Sequence, residues 1–568
     1  MSVEKLIVDH METWTSALQT RSTAGRGSSG KIDLYGIKKL RELILELAVR
    51  GKLVPQDPND EPASELLKRI AAEKAELVKQ GKIKKQKPLP EISEEEKPFE
   101  LPEGWEWVRF ETVLDFSGGS QPPKSYFIEE SKEGYVQLIQ IRDLGDSPQP
   151  IYIPADKASK FCTSKDILIG RYGASVGKVF WGKDGAYNVA LIKIDNSLNL
   201  YVTSFLFWLL KSPLGQSLFS GVSRSAQDGF NKSDIAAKLL PVLSHKEQNR
   251  IIIKINELMS LCDQLEQQSL TSLDAHQQVV ETLLGTLTDS QNAEELAENW
   301  ARISEHFDTL FTTEASVDAL KQTILQLAVM GKLVPQDPND EPASELLKRI
   351  AQEKAQLVKE GKIKKQKPLP PISDEDKPFE LPEGWEWCRI GNIVNIKSEL
   401  VSPKDYLNLY QVAPDIIEKG TGRVISKRTV KESGVKGPNS RFYKGQIVYS
   451  KIRPSLSKVF LAEYNGLCSA DMYPLDCYIN PNYLLKYILS IPFLMQVKKA
   501  ENRIKMPKLN SDSFYNIIVA IPPYNEQQAI FDKINSIEAV CNGLISYIGI
   551  YHKTQLHLAD ALTDAATN

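Results

Sequence analysis

Residues that hold metals or build disulfide frameworks are scarce in this sequence of 568 residues. It has six cysteines and six histidines, with no CxxC pair and no HExxH motif. Structural zinc sites and disulfide-stapled domains need closely spaced ligands or dense cysteines. The sequence therefore predicts free thiols in a reducing cytosol and no metal centre.

Long apolar runs are also missing. No stretch approaches the roughly 20 residues that span a bilayer. The N-terminal stretch MSVEKLIVDHMETW lacks the basic and apolar regions of a secretion signal. With 42% hydrophobic and 25% charged residues, the composition is that of a globular protein, and the length predicts several domains. We expect a cytoplasmic protein.

The net charge of −3 conceals an uneven distribution. Residues 108–240 carry 15 basic and 13 acidic side chains, a net of +2, whereas residues 388–520 carry 20 and 10, a net of +10. The rest of the chain must then sum to −15. A basic block inside an acidic chain indicates either a polyanion-binding surface or a solvated face, and the charge alone does not choose between them.

The dominant feature is an internal duplication, which points to two domain-sized units. Residues 47–107 recur at 327–387 with 54 of 61 positions identical, and both copies end in KPFELPEGWEW. The segments that follow have nearly equal length but largely different sequence. Within them, DILIGRYGASVGKVF at Asp166–Phe180 corresponds to QIVYSKIRPSLSKVF at Gln446–Phe460, which predicts a strand–turn–strand unit in each.

Each variable segment is followed by a predicted long helix with a heptad stripe. The helices begin at two EQxxIxxKIN motifs, at Glu247 and Glu526. Alternating steps of four and three residues keep one apolar seam on a partner helix, as in coiled coils. A helix over residues 247–287 would be roughly 60 Å long, enough to hold two domains apart. The stripes are Ile251, Ile255, Leu258, Cys262 and Leu265, and then Ile530, Ile534, Ile537, Cys541, Leu544, Ile548 and Tyr551.

Three stretches approach catalytic or nucleotide-binding motifs without completing them. Ile521–Tyr524 reads IPPY, which resembles the [Asn/Asp]-Pro-Pro-Tyr motif of adenine methyltransferases, but Ile521 has no hydrogen-bonding side chain. Gly173–Lys178 reads GASVGK, which is one residue short of a P-loop and is followed by Val179 instead of a hydroxyl residue. Gly420–Gly422 lacks the third glycine of a dinucleotide-binding loop. The sequence predicts no catalytic site.

The order of helical repeat, variable segment and long helix, present twice, resembles the specificity subunit of type I restriction–modification systems. The residues that carry the resemblance are GKLVPQDP, LPEGWEW, RYGASVGKV with SKIRPSLSKV, and the PxxxEQ…KI helix starts. It covers essentially the whole chain. The N-terminal extension and the large repeats are similar to an enterobacterial subfamily with long specificity subunits.

The resemblance implies a bacterial DNA-binding protein that is not an enzyme by itself. In the family, each variable segment is a target-recognition domain that reads half of an asymmetric, interrupted site in double-stranded DNA. The repeats dock two methylation subunits for adenine methylation, and restriction subunits join them for translocation and cleavage. No cofactor is expected in this chain, whereas S-adenosylmethionine, ATP and Mg²⁺ are expected in the partner subunits.

Basic and amide side chains in turns are the candidate DNA contacts, because Arg and Lys reach phosphates or guanine, and Gln and Asn read adenine. A turn that merely closes a hairpin, or a solvated loop, is the alternative in each case. The candidates are Arg171, Ser175 and Lys178 with their counterparts Lys451, Arg453, Ser455 and Lys458; Arg224, Gln227, Asn231 and Lys232 with Arg503, Lys505 and Lys508; and Arg423, Lys427 and Arg428.

The repeat itself carries a lysine run and two tryptophans. Solvated linkers usually contain such runs, although a partner or the DNA backbone would also suit these lysines. The tryptophans are predicted to pack in the core. The run is Lys82, Lys84, Lys85 and Lys87, repeated at Lys362, Lys364, Lys365 and Lys367, and the tryptophans are Trp105 and Trp107, repeated at Trp385 and Trp387.

We therefore predict an α/β (α+β) protein in which antiparallel long helices separate two strand-rich recognition domains with an internal pseudo-two-fold repeat. A coiled-coil scaffold without DNA specificity and a self-sufficient methyltransferase are the alternatives. The predicted parts are residues 1–35 (extension and linker), 36–100 (helical repeat 1), 101–243 (recognition domain 1), 244–380 (central long helix and helical repeat 2), 381–522 (recognition domain 2) and 523–568 (C-terminal long helix).

Overall fold

The computed structural model describes residues 3–20, 32–81, 89–221, 229–500 and 507–567. The chain forms two compact units: unit 1 comprises Met1–Thr271 and Tyr551–Asn568, and unit 2 comprises Ser272–Ile550. Each unit joins helices of the repeated framework to a strand-rich domain, which confirms the mixed helix and strand fold. Among the described residues, no helix has the length and apolarity needed to cross a membrane.

Unit 1 contains the first copy of the framework and the first strand-rich domain, residues 106–242. The helices in this part of the chain are α1 (Val3–Asp9), α2 (Met11–Ser16), α3 (Tyr35–Val49), α4 (Ala63–Lys79), α5 (Phe110–Val113), α6 (Thr203–Lys211), α7 (Pro213–Ser217), α8 (Lys232–Ile235) and α9 (His245–Asp289), the last of which continues into unit 2. The strands are β1 (Gln19–Thr20), β2 (Ile32–Asp33), β3 (Glu106–Arg109), β4 (Asp115–Gly118), β5 (Tyr135–Ile139), β6 (Tyr152–Pro154), β7 (Phe161–Cys162), β8 (Ile167–Gly170), β9 (Val179–Trp181), β10 (Gly185–Tyr187), β11 (Leu191–Asp195) and β12 (Leu239–Val242).

Unit 2 contains the second copy, with its strand-rich domain at residues 386–521. Its helices are α10 (Ala293–Glu305), α11 (Phe307–Leu310), α12 (Glu314–Val329), α13 (Ala343–Lys359), α14 (Ile390–Ile393), α15 (Val430–Ser433), α16 (Pro481–Ile488), α17 (Ile491–Ala500), α18 (Ser511–Tyr515) and α19 (Tyr524–Thr567), whose end lies in unit 1. The strands are β13 (Glu386–Arg389), β14 (Val394–Ile396), β15 (Glu399–Val401), β16 (Tyr410–Val412), β17 (Asn439–Phe442), β18 (Ile447–Ser450), β19 (Val459–Leu461), β20 (Gly466–Ser469), β21 (Met472–Cys477) and β22 (Ile518–Ile521).

The two strand-rich domains share most of their sheet topology. The sheet β4-β11-β8-β9 matches β14-β21-β18-β19, and the antiparallel pair β3-β12 matches β13-β22. In the remaining sheet, three strands correspond, but the fourth differs: β6 extends the sheet beside β5, whereas β15 extends it beside β17. The predicted strand–turn–strand units are confirmed, because β8 pairs with β9 and β18 with β19 in antiparallel fashion.

The heptad stripes are confirmed with one exception. In α9, all five predicted residues are buried, and Ile251 and Cys262 are fully enclosed. In α19, Ile530, Ile534, Cys541 and Ile548 are buried, and Ile537 and Leu544 are partly buried. The inclusion of Tyr551 in the stripe was wrong, because its side chain is 38% exposed. Leu558, one heptad later, is 45% exposed, and the helix buries Ala559 instead.

The N-terminal extension belongs to the fold of unit 1. Trp14 is fully buried, and the carbonyl of Ala17 accepts a hydrogen bond of 3.0 Å from the amide of Gly36 at the start of α3. A side chain at Gly36 would place its Cβ 2.3 Å from the Trp14 carbonyl oxygen, so this close contact requires glycine. Glu4 pairs with Lys254 of α9 at 2.5 Å. Residues 3–17 are therefore a packed helical layer.

Candidate nucleic-acid interface

The paired Glu and Gln at the start of each long helix anchor the strand-rich domains. Glu247 accepts hydrogen bonds from the indole Nε1 of Trp105 (2.8 Å) and from Nε2 of Gln56 (2.6 Å). Glu526 accepts the corresponding two hydrogen bonds from Trp385 (3.0 Å) and Gln336 (3.3 Å). Burial raises the pKa of both carboxyl groups, and the four donors oppose that rise. The predicted core positions of Trp105 and Trp385 are confirmed by their burial.

The next residue in each motif joins the long helix to a loop of the domain. Gln248 Oε1 accepts from the amide of Val202 (2.6 Å), and its Nε2 donates to the carbonyls of Leu200 and Leu243 (3.1 Å each). Gln527 accepts from the amide of Asn480 (2.9 Å) and donates to the Pro522 carbonyl (3.1 Å). Both glutamines are fully buried. The EQ motif therefore fixes the orientation of each domain on its helix.

A half-buried lysine of the repeat supports the first turn of the second domain. Lys354 in α13 donates to the carbonyls of Gly391 (2.6 Å) and Val394 (3.0 Å), at the C-terminal end of α14. Cations are favoured at this end of a helix. Burial nevertheless lowers the pKa of Lys354 from its ordinary value of 10.5 to about 8.

We expect this lysine to make stability depend on pH. The pKa of Lys354 is lower in the folded than in the unfolded state, so folding is favoured when the lysine is neutral. This contribution to stability is fully present above pH 10.5 and is lost as the pH falls through about 8. In urea titrations between pH 7.5 and 9.5, the native chain should gain about 1 kcal/mol of unfolding free energy relative to Lys354→Met, after allowance for partial exposure. Lys348→Met, on the exposed side of α13, is the control. Equal pH dependence of the two variants would contradict the assignment.

The two groups of candidate residues that are separate in the sequence meet in the structure. In the first domain, Nε of Arg171 donates to the Phe230 carbonyl (3.2 Å), and its NH2 group donates to Oδ1 of Asn231 (3.0 Å). In the second domain, the amide of Arg453 donates to the Pro507 carbonyl (2.9 Å), and the amide of Leu509 donates to the Lys451 carbonyl (2.9 Å). We call each juxtaposition a turn–loop cluster; the first comprises residues 171–178 and 229–232, and the second comprises residues 451–458 and 507–510.

The same pair of residues, a buried apolar side chain and the asparagine after it, fixes the loop in both clusters. Phe230 and Leu509 are fully buried, and each is followed by an asparagine at the N-cap of a short helix, Asn231 for α8 and Asn510 for α18. The buried residue anchors the loop, and the asparagine ends it at a helix start. The sequence offset of 279–280 that relates the repeats also relates the two clusters, so their equivalence had a signal in the sequence, whereas the contact between turn and loop had none.

Backbone conformation distinguishes the two turns. Gly173 and Gly177 of the first turn have φ of 55° and 78°, and their counterparts Arg453 and Ser457 have φ of 45° and 47°. The left-handed region costs a non-glycine residue roughly 1–2 kcal/mol, and a residue before proline, as Arg453 is, normally adopts an extended conformation. The second turn therefore holds an exposed arginine in a conformation for which the first turn uses glycine.

Several predicted contact residues are engaged inside the protein. The Ser175 hydroxyl donates to the Tyr172 carbonyl (2.6 Å), Lys451 donates to the Ala470 carbonyl (2.7 Å), and Lys458 donates to the Pro414 carbonyl. Lys232 pairs with Asp115 (2.5 Å), and Lys508 pairs with Asp471 (3.2 Å). With Arg171, these side chains hold the clusters in shape. Among the predicted contact residues of the clusters, Lys178, Asn231, Arg453 and Lys508 are exposed and Ser455 is half-buried.

The third candidate group lies on a loop that its own carboxylates neutralise in part. Arg428 makes a bidentate pair with Asp415 (3.0 Å each), and Arg423 pairs with Glu418 (2.6 Å). Lys427 is exposed and lies over the rings of Tyr410 (6.0 Å) and Tyr464 (5.5 Å). Four further candidates, Arg224, Gln227, Arg503 and Lys505, lie outside the described residues.

A cation–aromatic group in the second domain was missed by sequence reasoning. The guanidinium of Arg441 lies 5.2 Å from the ring of Tyr406 and 5.0 Å from that of Tyr443, and Lys397 lies 4.6 Å from Tyr443. The sequence did contain a signal for this group, because basic and aromatic residues are interleaved within residues 388–520, the segment with a net charge of +10. Among the described residues, no group of three or more His, Cys, Asp or Glu side chains could hold a metal ion, and all six cysteines are free.

Comparisons with known proteins find a family match in both halves of the chain and relatives over its whole length. Residues 102–275 and 382–548 match the family described as the type I restriction modification DNA specificity domain. The EcoAI specificity subunit of Escherichia coli is 51% identical over 100% of both chains, and the EcoEI specificity subunit of the same species is 49% identical over 100% of both. A solved chain from a type I R-M system aligns with a TM-score of 0.48 at 16% identity, over 83% of this chain and 99% of that one.

Two strand-rich domains on a duplicated helical frame define a bipartite recognition protein. The chain belongs to the family of type I restriction–modification specificity subunits, the non-catalytic subunits that carry two target-recognition domains. The resemblance found in the sequence is thus confirmed, including its likeness to the long enterobacterial members. The scaffold without DNA specificity and the self-sufficient methyltransferase are not favoured.

Proposed function

We propose that this chain reads an asymmetric, interrupted sequence in double-stranded DNA, one half with each target-recognition domain. The observation that carries the proposal is the turn–loop cluster, which recurs with the same frame but different exposed side chains. Because the frame is repeated while the exposed residues differ, the two domains suit two different half-sites. The boundaries we propose for the domains are residues 101–243 and 381–522.

The proposed DNA contacts are the exposed and polar residues of the clusters and of the Arg423–Arg428 loop, together with the candidates outside the described residues. Side chains such as Arg171 and Arg428, which are held by internal hydrogen bonds, would act mainly by shaping the surface. Lys178, Asn231, Lys427 and Arg453 are exposed and are the proposed direct contacts, with Asn231 also accepting the hydrogen bond from Arg171 through its Oδ1. Phosphate contacts would fix the register, and base contacts would specify the sequence.

We further propose that the duplicated frame docks two methylation subunits in the bacterial cytoplasm, and that restriction subunits join this complex. S-adenosylmethionine, ATP and Mg²⁺ would be bound by those partners. The support is the near-identity of the two framework copies, which offers one surface twice to two copies of one partner.

The test is to co-express the chain with the methylation subunit of a related type I system, such as EcoAI, and to map adenine methylation across a genome by single-molecule sequencing. We expect an interrupted motif with a fixed spacer. Exchange of residues 108–240 for those of another specificity subunit should change one half of the motif and leave the other half and the spacer unchanged. A stable complex that methylates no defined motif would refute sequence reading by this chain.

A further inference from the structure

The lysine run of the second repeat lines a groove and does not form a free linker. Residues 362–369 leave α13 with Ile363, Gln366 and Leu369 half-buried and with all four lysines exposed. Gln366 and Leu369 face the second strand-rich domain, where they line a cavity together with Gly391 and Asn392. The groove has a volume of about 580 Å³ and is lined by Lys362, Lys364, Lys365, Lys367 and Lys397, with Ser511, Asp512 and Tyr515.

The groove has a strong excess of positive charge. Asp512 is the one acidic side chain among the described residues that line it. It pairs with Lys367 at 3.1 Å, and Lys362 pairs with Glu360 at 2.8 Å. Both lysines and Asp512 are largely exposed, and Glu360 is 37% exposed, so these pairs hold the lysines only weakly. Such a groove is suited to a polyanion.

The groove is continuous with the second turn–loop cluster. Ser511 and Asp512 form the first turn of α18, directly after its N-cap Asn510. The residues just before them, Lys508 and Leu509, pair with the turn at Lys451–Arg453. A strand of DNA that contacts the cluster would therefore meet the lysines of the groove next.

We propose that this lysine groove binds the DNA phosphate backbone beside the half-site, whatever the base sequence. The inference rests on the proposed function. The four lysines recur unchanged in the first repeat, as Lys82, Lys84, Lys85 and Lys87, although the domains that follow differ. Identical residues cannot read two different half-sites, but the phosphate backbone is the same at both. Lysine is a flexible point charge without the planar fork that arginine uses to recognise guanine.

The test compares two triple variants of the full-length chain that lose the same charge. The groove variant is Lys364→Gln, Lys365→Gln and Lys367→Gln; the control is Lys348→Gln, Lys359→Gln and Lys533→Gln, all at exposed positions of unit 2 outside the groove. Fluorescence anisotropy at several salt concentrations would use a duplex that carries the mapped methylation motif and a duplex that lacks it.

We expect the groove variant to reduce the slope of log K against log salt by about 2–3, since each phosphate contact contributes about 0.9. Affinity should fall by the same factor on both duplexes, and the control should keep the native slope. Equal slopes for groove and control variants would overturn the groove assignment while leaving the proposed function intact. If the groove variant keeps the native slope but no longer co-purifies with the methylation subunit, the groove is a protein contact instead. Absence of salt-dependent DNA binding by the native chain would overturn the proposed function itself.

Discussion

Replacement of Gln248 by leucine is expected to lower the free energy of unfolding by about 3 kcal/mol. The fully buried side chain of Gln248 serves three backbone groups, of Val202, Leu200 and Leu243. Leucine has a similar size but would leave all three without partners, and each buried unsatisfied group costs roughly 1–3 kcal/mol. Urea denaturation followed by tryptophan fluorescence would measure the loss.

The neighbouring residue provides a matched control. Asn249 is exposed and donates to the His245 carbonyl within the same helix, so Asn249→Leu should change stability by less than about 0.5 kcal/mol. Hydrogen exchange gives an independent readout, because the amide of Val202 loses its acceptor in Gln248→Leu. Equal stability of the two variants, with unchanged exchange at Val202, would show that this glutamine does not anchor the domain.

The second large effect is expected at Arg453, where stability and DNA binding should separate. Arg453→Gly restores the residue type that the first turn has at Gly173, where φ is likewise positive. Relief of the left-handed strain should offset the greater chain entropy of glycine in the unfolded state, so stability should stay within about 1 kcal/mol of the native value. DNA affinity should fall 10- to 100-fold, because an arginine contact to a base or phosphate is worth about 1–3 kcal/mol.

Ser457→Gly is the control for this experiment. It makes the same change at the other left-handed position of the turn, matching Gly177 of the first copy, and it removes no charge. We expect native DNA affinity for Ser457→Gly, measured by anisotropy at one fixed salt concentration. If Arg453→Gly also binds DNA with native affinity, the arginine is not a contact. If it unfolds, the positive φ of Arg453 does not carry the strain that we infer.

The sequence could predict those features that depend on local pattern or on comparison of the chain with itself. The duplication, the heptad stripe of α9 and the strand–turn–strand units at residues 166–180 and 446–460 were all confirmed. Periodicity reports which face of an element is buried, and an internal repeat reports which segments are equivalent. Tyr551 shows the limit of this reasoning, because a heptad extended by pattern alone does not reveal where the neighbours of the helix change.

What only the tertiary structure decided is which charged groups meet. Arg171 and Asn231 are 60 residues apart and bonded, and Arg428 and Lys458 are tied to Asp415 and to the Pro414 carbonyl, although in the sequence they look as free as Lys427. The lysine run at residues 362–367 has the composition of a solvated linker, yet it lines a groove together with Asn395, Lys397 and Tyr515 of the domain. Composition fixes how much charge the chain carries, but the availability of a given charge depends on partners that folding brings from distant positions.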